Sequence, residues 1–256
     1  MTTAITSNNI VMTSGVLSFT NLTASAYEIP ASIFYNQTTF TDKDATTHNI
    51  SDITEITLDA KITTIAQNAF RDSLSGLTKL VIPSTVTSIA RSGFENSGAN
   101  NCVVIIKCAG SALGRSAFSN FNDNAKFIIS PNTSNPTTGT VQTFHGFAGY
   151  MVLPSTFNVN YDSNYFFSSS DGSKVFIYDN SNNTIKKLSS SQQSVHNSMD
   201  SDSLYDGSVV AAGGDATKSE VIDTAGYTYA DLVDGGVAST VLDTIGYCFV
   251  KDTPIK

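Results

Sequence analysis

Cysteine is scarce: Cys102, Cys108 and Cys248 are the three in 256 residues. That excludes a disulfide-stapled mini-protein, which needs a dense, even set. Charge is scarce too. Asp, Glu, Lys and Arg make up 14% of the chain, below the usual quarter. Acids outnumber bases 22 to 14, for a net charge of −8. No Lys/Arg cluster occurs, so the basic footprint that nucleic acid requires is missing and nucleic acid is not a partner. No apolar run approaches the ~18 residues of a membrane span. The segment from Met1 to Gly15 lacks a positive stretch followed by an apolar one, so no secretory signal is expected. Histidine is limited to His48, His145 and His196. None stands at ligand spacing from a carboxylate or cysteine, and HxxxH and CxxC are absent, so neither metal nor cofactor is expected.

Ser, Thr and Asn fill the space, at about a third of the chain, while 15 Phe and scattered Ile, Val and Leu still provide a core. The organising feature is an internal repeat. Ile53-Thr-Glu-Ile-Thr-Leu58 aligns with Leu77-Thr-Lys-Leu-Val-Ile82 at a spacing of 24, and Ile62, Ile65, Ala66 and Phe70 align with Val86, Ile89, Ala90 and Phe94. A third copy adds Val104, Ile106, Leu113, Gly114 and Phe118, and a fourth begins at Lys126 and fades after Pro131. A unit this short cannot bury its own apolar face, so stacked units must share one core, each giving one strand to a parallel sheet and one Phe to the interior.

These units resemble the BspA-like (Treponema-type) leucine-rich repeat, read roughly as LxxIxIPxxVxxIgxxAF. The stretch from Leu77 to Phe94 follows that pattern nearly throughout, including Ile82-Pro83 and Val86-Thr-Ser-Ile89, whereas the first unit has Asp59 at the Pro position and the third has Gly110 at the Val position. The likeness spans about residues 53–131. It implies a non-catalytic scaffold for adhesion or protein recognition.

Around the repeats, Ile10-Val-Met, Val16-Leu-Ser-Phe and Ile33-Phe-Tyr read as short β runs of an N-terminal cap. Strands are also expected at Tyr150, Tyr165 and Val175, with a hairpin around Asp179–Asn183, where Asn and Asp accept left-handed turns. Ser189–Asp206 reads as a polar loop. A shorter period follows: Ile222, Leu232 and Leu242 fall ten apart, as do Gly226, Gly236 and Gly246. Each decad predicts a tiny helix stopped by Gly, too short to stand alone and so packed on its neighbours or on something larger. The decads are similar to Leu-Gly-Tyr repeats of some large-virus proteins. The expected division is a β-like cap (1–48), repeats of period 24 (49–133), a β-rich region with a polar loop (134–208) and short-helix decads (209–256). The fold class is an α/β-type repeat solenoid with a parallel sheet, plus a β-rich C-terminal region with small helices.

Catalytic patterns are weak. Gly110-Ser-Ala-Leu-Gly114 misplaces the Ser of a nucleophile elbow, and no Gly pair forms a phosphate loop. Asp200–Gly207 lacks the closing Glu of a calcium loop. Cys102 and Cys108 fit buried thiols, with a disulfide possible outside the cytosol. Five Asn-X-Ser/Thr sequons, at Asn21, Asn36, Asn49, Asn132 and Asn182, are what this composition supplies by chance.

The strand face turned away from the core is more informative. Alternation places Lys79, Val81, Val103, Ile105, Phe127 and Ile129 on it, an increasingly apolar surface. Either residues 134–256 fold back over it or a protein partner does. The function expected is non-catalytic binding or architecture, in a large assembly such as a virion (capsid or surface protein), or as an extracellular adhesin recognising a host protein or glycan. The location expected is accordingly a virion or an extracellular surface. An enzyme with its site in 134–256 is the third alternative.

Overall fold

The computed structural model describes residues 2–133, 142–156, 174–187, 215–216 and 226–244. The strand expected at Tyr165, the Ser189–Asp206 loop, Asp200–Gly207, His196 and Cys248 lie outside them. Short strands follow one another along the chain: β1 (Thr3–Ala4), β2 (Ile10–Thr13), β3 (Val16–Phe19), β4 (Tyr27–Ile29), β5 (Thr39–Thr41), β6 (Thr47–Asn49), β7 (Glu55–Ile56), β8 (Ile62–Ile65), β9 (Lys79–Ile82), β10 (Ser88–Ile89), β11 (Val103–Ile106), β12 (Lys126–Ile129), β13 (Tyr150–Pro154), β14 (Val175–Asp179), β15 (Thr184–Lys187) and β16 (Asp215–Ala216). Two six-residue helices complete the described chain, α1 (Tyr229–Asp234) and α2 (Ser239–Thr244).

The strands wind into a β-solenoid of about six turns. One long sheet runs β2-β3-β7-β9-β11-β12-β13-β14-β15-β16, and a smaller one runs β1-β4-β8-β10. From β3 to β14 every pairing in the long sheet is parallel. The antiparallel pairs β2–β3 and β14–β15 close the parallel run at its two ends. The second of these is the hairpin expected around Asp179–Asn183. There Asp179 Oδ1 accepts from the Ser181 and Asn182 N–H groups, and Asn183 takes φ +51°.

The repeat's Phe forms a ladder through the core. Phe34, Phe70, Phe94, Phe118 and Phe144 stack nearly parallel, with centroid separations of 5.0, 5.0, 5.3 and 5.6 Å. Each sits in a tight turn between two residues of positive φ: Ser32 and Asn36, Asn68 and Asp72, Ser92 and Asn96, Ser116 and Asn120, Gln142 and Gly146. Left-handed backbone is strained for most side chains, and Asn and Asp accept it best. Coil-to-coil bonding offsets that strain. Phe34, Phe70, Phe94 and Phe118 donate their N–H groups to the carbonyls of Ala69, Gly93, Ala117 and Thr143. Asn96 Nδ2 also donates to Asp72 Oδ1 at 2.6 Å. At Gly146 a Cβ would collide with Asn120 Oδ1.

Two N-terminal readings change. Ile33-Phe-Tyr is a turn, because Ser32 and Asn36 on either side of Phe34 are left-handed. The region ahead of the repeats contributes a further solenoid turn, since Val16 pairs with Glu55, Tyr27 pairs with Ile62 and Phe34 stacks on Phe70. The period is hidden there by the inserted β5–β6 hairpin. In that hairpin, His48 Nε2 lies 2.9 Å from Asp42 Oδ2, while Asp42 Oδ1 accepts from the Asp44 and Thr46 N–H groups. The His48 bond foremost, and these two donors with it, hold the Asp42 carboxyl below the usual carboxylate range. The spacing of six residues conceals this contact in the sequence.

Cys102 and Cys108 are buried free thiols, and burial pushes both up to about 12. The thiolate is the reactive form. In a Cys248→Ser variant, no thiol should react with a maleimide at neutral pH while the chain is folded, and two should react in denaturant. Labelling of the folded protein, read by mass spectrometry, would contradict this placement.

Candidate partner-binding face

The long sheet has an inner face toward the Phe ladder and an outer face. On the inner face Leu17, Ile56, Leu80, Val104, Phe127, Met151 and Val175 stand in one row, each beside its neighbour in register. The corresponding outer row is Val16, Glu55, Lys79, Val103, Lys126 and Tyr150. A second outer row holds Val81, Ile105, Ile128, Val152 and Phe176.

This register corrects two of the six residues expected on the outer face. Lys79, Val81, Val103 and Ile105 do share it, whereas Phe127 and Ile129 point inward. Phe127 packs edge-on against Phe118, Phe121, Phe144 and Phe147. Val103 pairs with Lys126, 23 residues on rather than 24. Seven residues separate Phe118 from Lys126, where eight separate Phe94 from Val103. Because side chains alternate, the loss of one residue exchanges the two faces. Ile128 takes the outer place expected for Phe127 and Ile129.

The C-terminal half of the outer face is covered by the decads. Ile105, Ile128, Val152, Phe176 and Tyr178 form a second apolar core with Tyr227, Leu232, Val237, Val241 and Leu242. The chain reaches it through Gly226, φ +77°, lying against the Lys126 side chain. Thr228 caps α1, accepting from the Asp231 N–H at 3.0 Å and donating to Asp231 Oδ2 at 2.6 Å. Gly235 follows α1, and a side chain there would strike Ile128. Gly236, at φ +96°, turns the chain toward α2. Both described decads therefore hold the expected short helix packed on a larger body, and the Gly stop is present after α1, while Gly246 lies outside the described residues.

Polar groups fix the cover in place. Lys79 pairs with Asp231 at 3.2 Å and Lys107 with Asp234 at 2.5 Å. Asn180 grips the link between the helices, donating to Gly236 O and accepting from the Ala238 N–H, both at 2.9 Å. The Tyr227 hydroxyl donates to Phe127 O at 3.0 Å, and Tyr178 to Ile129 O at 2.8 Å. Pro154, in the strand beside Ile129, has no N–H to offer, so Tyr178 supplies a donor. Burial pushes both phenols well up, which keeps them protonated donors.

The N-terminal half of the same face is open and mixed in character. Val11, Val16, Ser18, Glu55, Lys79 and Val81 are half-buried, and Thr13 and Thr57 are exposed. Among the described residues, no group of three His, Cys, Asp or Glu is placed to hold a metal ion, and no helix is long and apolar enough to cross a membrane. Gly110–Ala112 form a 3-10 turn, with Leu113 bridging to Ile89.

A family model for the BspA type leucine rich repeat region matches residues 43–145 in six copies. Residues 43–145 are a BspA-type leucine-rich repeat region. No curated protein and no solved structure matches the chain. The BspA-type segment begins inside the β5–β6 hairpin and ends at the turn of Phe144, so it takes in the ladder from Phe70 to Phe144. The decad cover lies beyond it. A BspA-type repeat region suggests a protein-binding or structural scaffold and is typically non-catalytic.

Proposed function

We propose that this chain is a non-catalytic scaffold that binds protein through the open half of its outer strand face, and that it works within a large assembly such as a virus particle. The observation that supports protein binding is the division of that face. Its apolar half is filled by the chain's own decads, whose edge rests on Lys79 and Val81, while Val16, Glu55 and Thr57 continue the same rows into the open. The assembly setting draws on composition. With 14% charged residues, little surface carries the desolvation penalty that charged groups impose when buried against neighbours. An adhesin would use the same face, and the exposure of all five sequon asparagines suits that setting.

The test combines location with a surface variant. Thr57→Arg together with Val81→Arg should leave the melting midpoint within a few degrees of wild type. In the native source the unmodified chain should sediment with particles, and the variant should remain in the soluble fraction. A chain found in the medium, binding host surfaces saturably, would replace the assembly reading with the adhesin. Unchanged association of the variant would remove the face from consideration.

A further inference from the structure

A second surface stands out by its charges. Arg91 and Arg115 occupy the same position on successive coils, at the corner between the smaller sheet and the Phe turn. The Asn68 N–H donates to Arg91 O at 3.1 Å, and the Ser92 N–H donates to Arg115 O at 3.0 Å, so these coils are bonded through the very residues concerned. Both side chains are exposed. Neither has an ion pair, hydrogen bond or ring contact among the described residues, whereas Lys43, Arg71, Lys79 and Lys107 each have a carboxylate partner.

Two guanidinium groups one coil apart repel each other. Bases are the scarce charge here, and the chain sets two of them in register. Adjacent coils, like adjacent strands in a sheet, lie about 4.8 Å apart, so the two exposed side chains can both reach the oxygens of one anionic group, or of neighbouring ones. Guanidinium binds carboxylate in a bidentate, geometrically selective way that an ammonium does not reproduce. Ahead of Arg115, Gly114 lies against the Ile89 carbonyl and Ala90 of the preceding coil, where a side chain would collide, and this keeps the two coils close at that corner.

We infer that Arg91 and Arg115 form a ridge that takes the carboxylates of an acidic segment in a protein partner. This rests on the protein-binding reading above but uses a different face. The test is fluorescence anisotropy of a labelled hexaglutamate peptide with the full chain at low salt, with a heparin fragment and inorganic phosphate as parallel probes. Hexaglutamate should bind saturably, about tenfold more weakly to the Arg91→Gln/Arg115→Gln variant. Arg91→Lys/Arg115→Lys should fall between them, since charge is kept and the fork is lost. The double Gln variant should melt at or above the wild-type midpoint, because repulsion is relieved. A neutral strand-face variant, Thr57→Gln/Val81→Gln, should bind hexaglutamate normally, so failure of the strand-face reading is separable from failure of this one. No hexaglutamate binding, binding indifferent to both arginines, a preference for heparin or phosphate alone, or a lowered midpoint in the Gln variant would each overturn the ridge.

Discussion

Phe94→Ala should lower stability by about 3–5 kcal/mol, the usual cost of emptying a large aromatic core site. Phe94 is fully buried and stacks on Phe70 and Phe118 at 5.0 and 5.3 Å, so its removal leaves two rings facing a void. The turn around it keeps the site from collapsing. Ser92 and Asn96 are held left-handed and bonded to the next coil, which keeps the backbone from closing inward. Phe70→Ala and Phe118→Ala should behave alike. Phe40→Ala, at the half-buried edge of the ladder, should cost far less. Chemical denaturation measures all four, and equal midpoints for Phe94→Ala and wild type would refute the ladder.

Ile105→Lys is the second large effect, at about 3–5 kcal/mol for a buried charge without a partner. Ile105 has no exposed surface and lies between the sheet and the decad cover. The penalty has a ceiling set by the cover itself, because the lysine can reach water once residues 226–244 lift away. Hydrogen exchange in 226–244 should therefore accelerate more than exchange in β8 or β9. Val81→Lys, one strand earlier in the same row, should cost less than about 1 kcal/mol because Val81 sits at the open margin. If the two lysines cost the same, the cover does not lie where it is described.

The sequence disclosed the repeat because its core positions are spaced without insertion from Ile53 to Phe118, and the family match covers the same coils. It hid the neighbouring turns for local reasons. Phe34 stands 36 residues before Phe70, with a hairpin between, and Phe144 stands 26 after Phe118. A different signal marks both. A residue able to turn left-handed stands two before and two after each Phe, as in Ser32-Ile-Phe-Tyr-Asn36 and Gln142-Thr-Phe-His-Gly146. The outer face was half legible. Val103-Val-Ile-Ile106 is apolar on both sides, as a strand covered twice must be, but the residue missing before Lys126 reversed the reading of Phe127 and Ile129. What covers the strand was not legible from it. Leu232 and Leu242 are regular within their decads, yet nothing local tells which rows of a distant sheet they meet.

The helical cover lies across several coils of the sheet, and its charged edge sets where along them it rests. The outer row Ile105, Ile128, Val152 and Phe176 presents nearly the same apolar rung on each coil, and a cover held by apolar contact alone could slip by one rung with little penalty. The charged positions differ from coil to coil, so Asp231 meets Lys79 and Asp234 meets Lys107 only at one setting. One rung along, Asp231 would face Val103 and lose its ion partner. Nearly identical coils thus acquire a single address for the segment that lies across them.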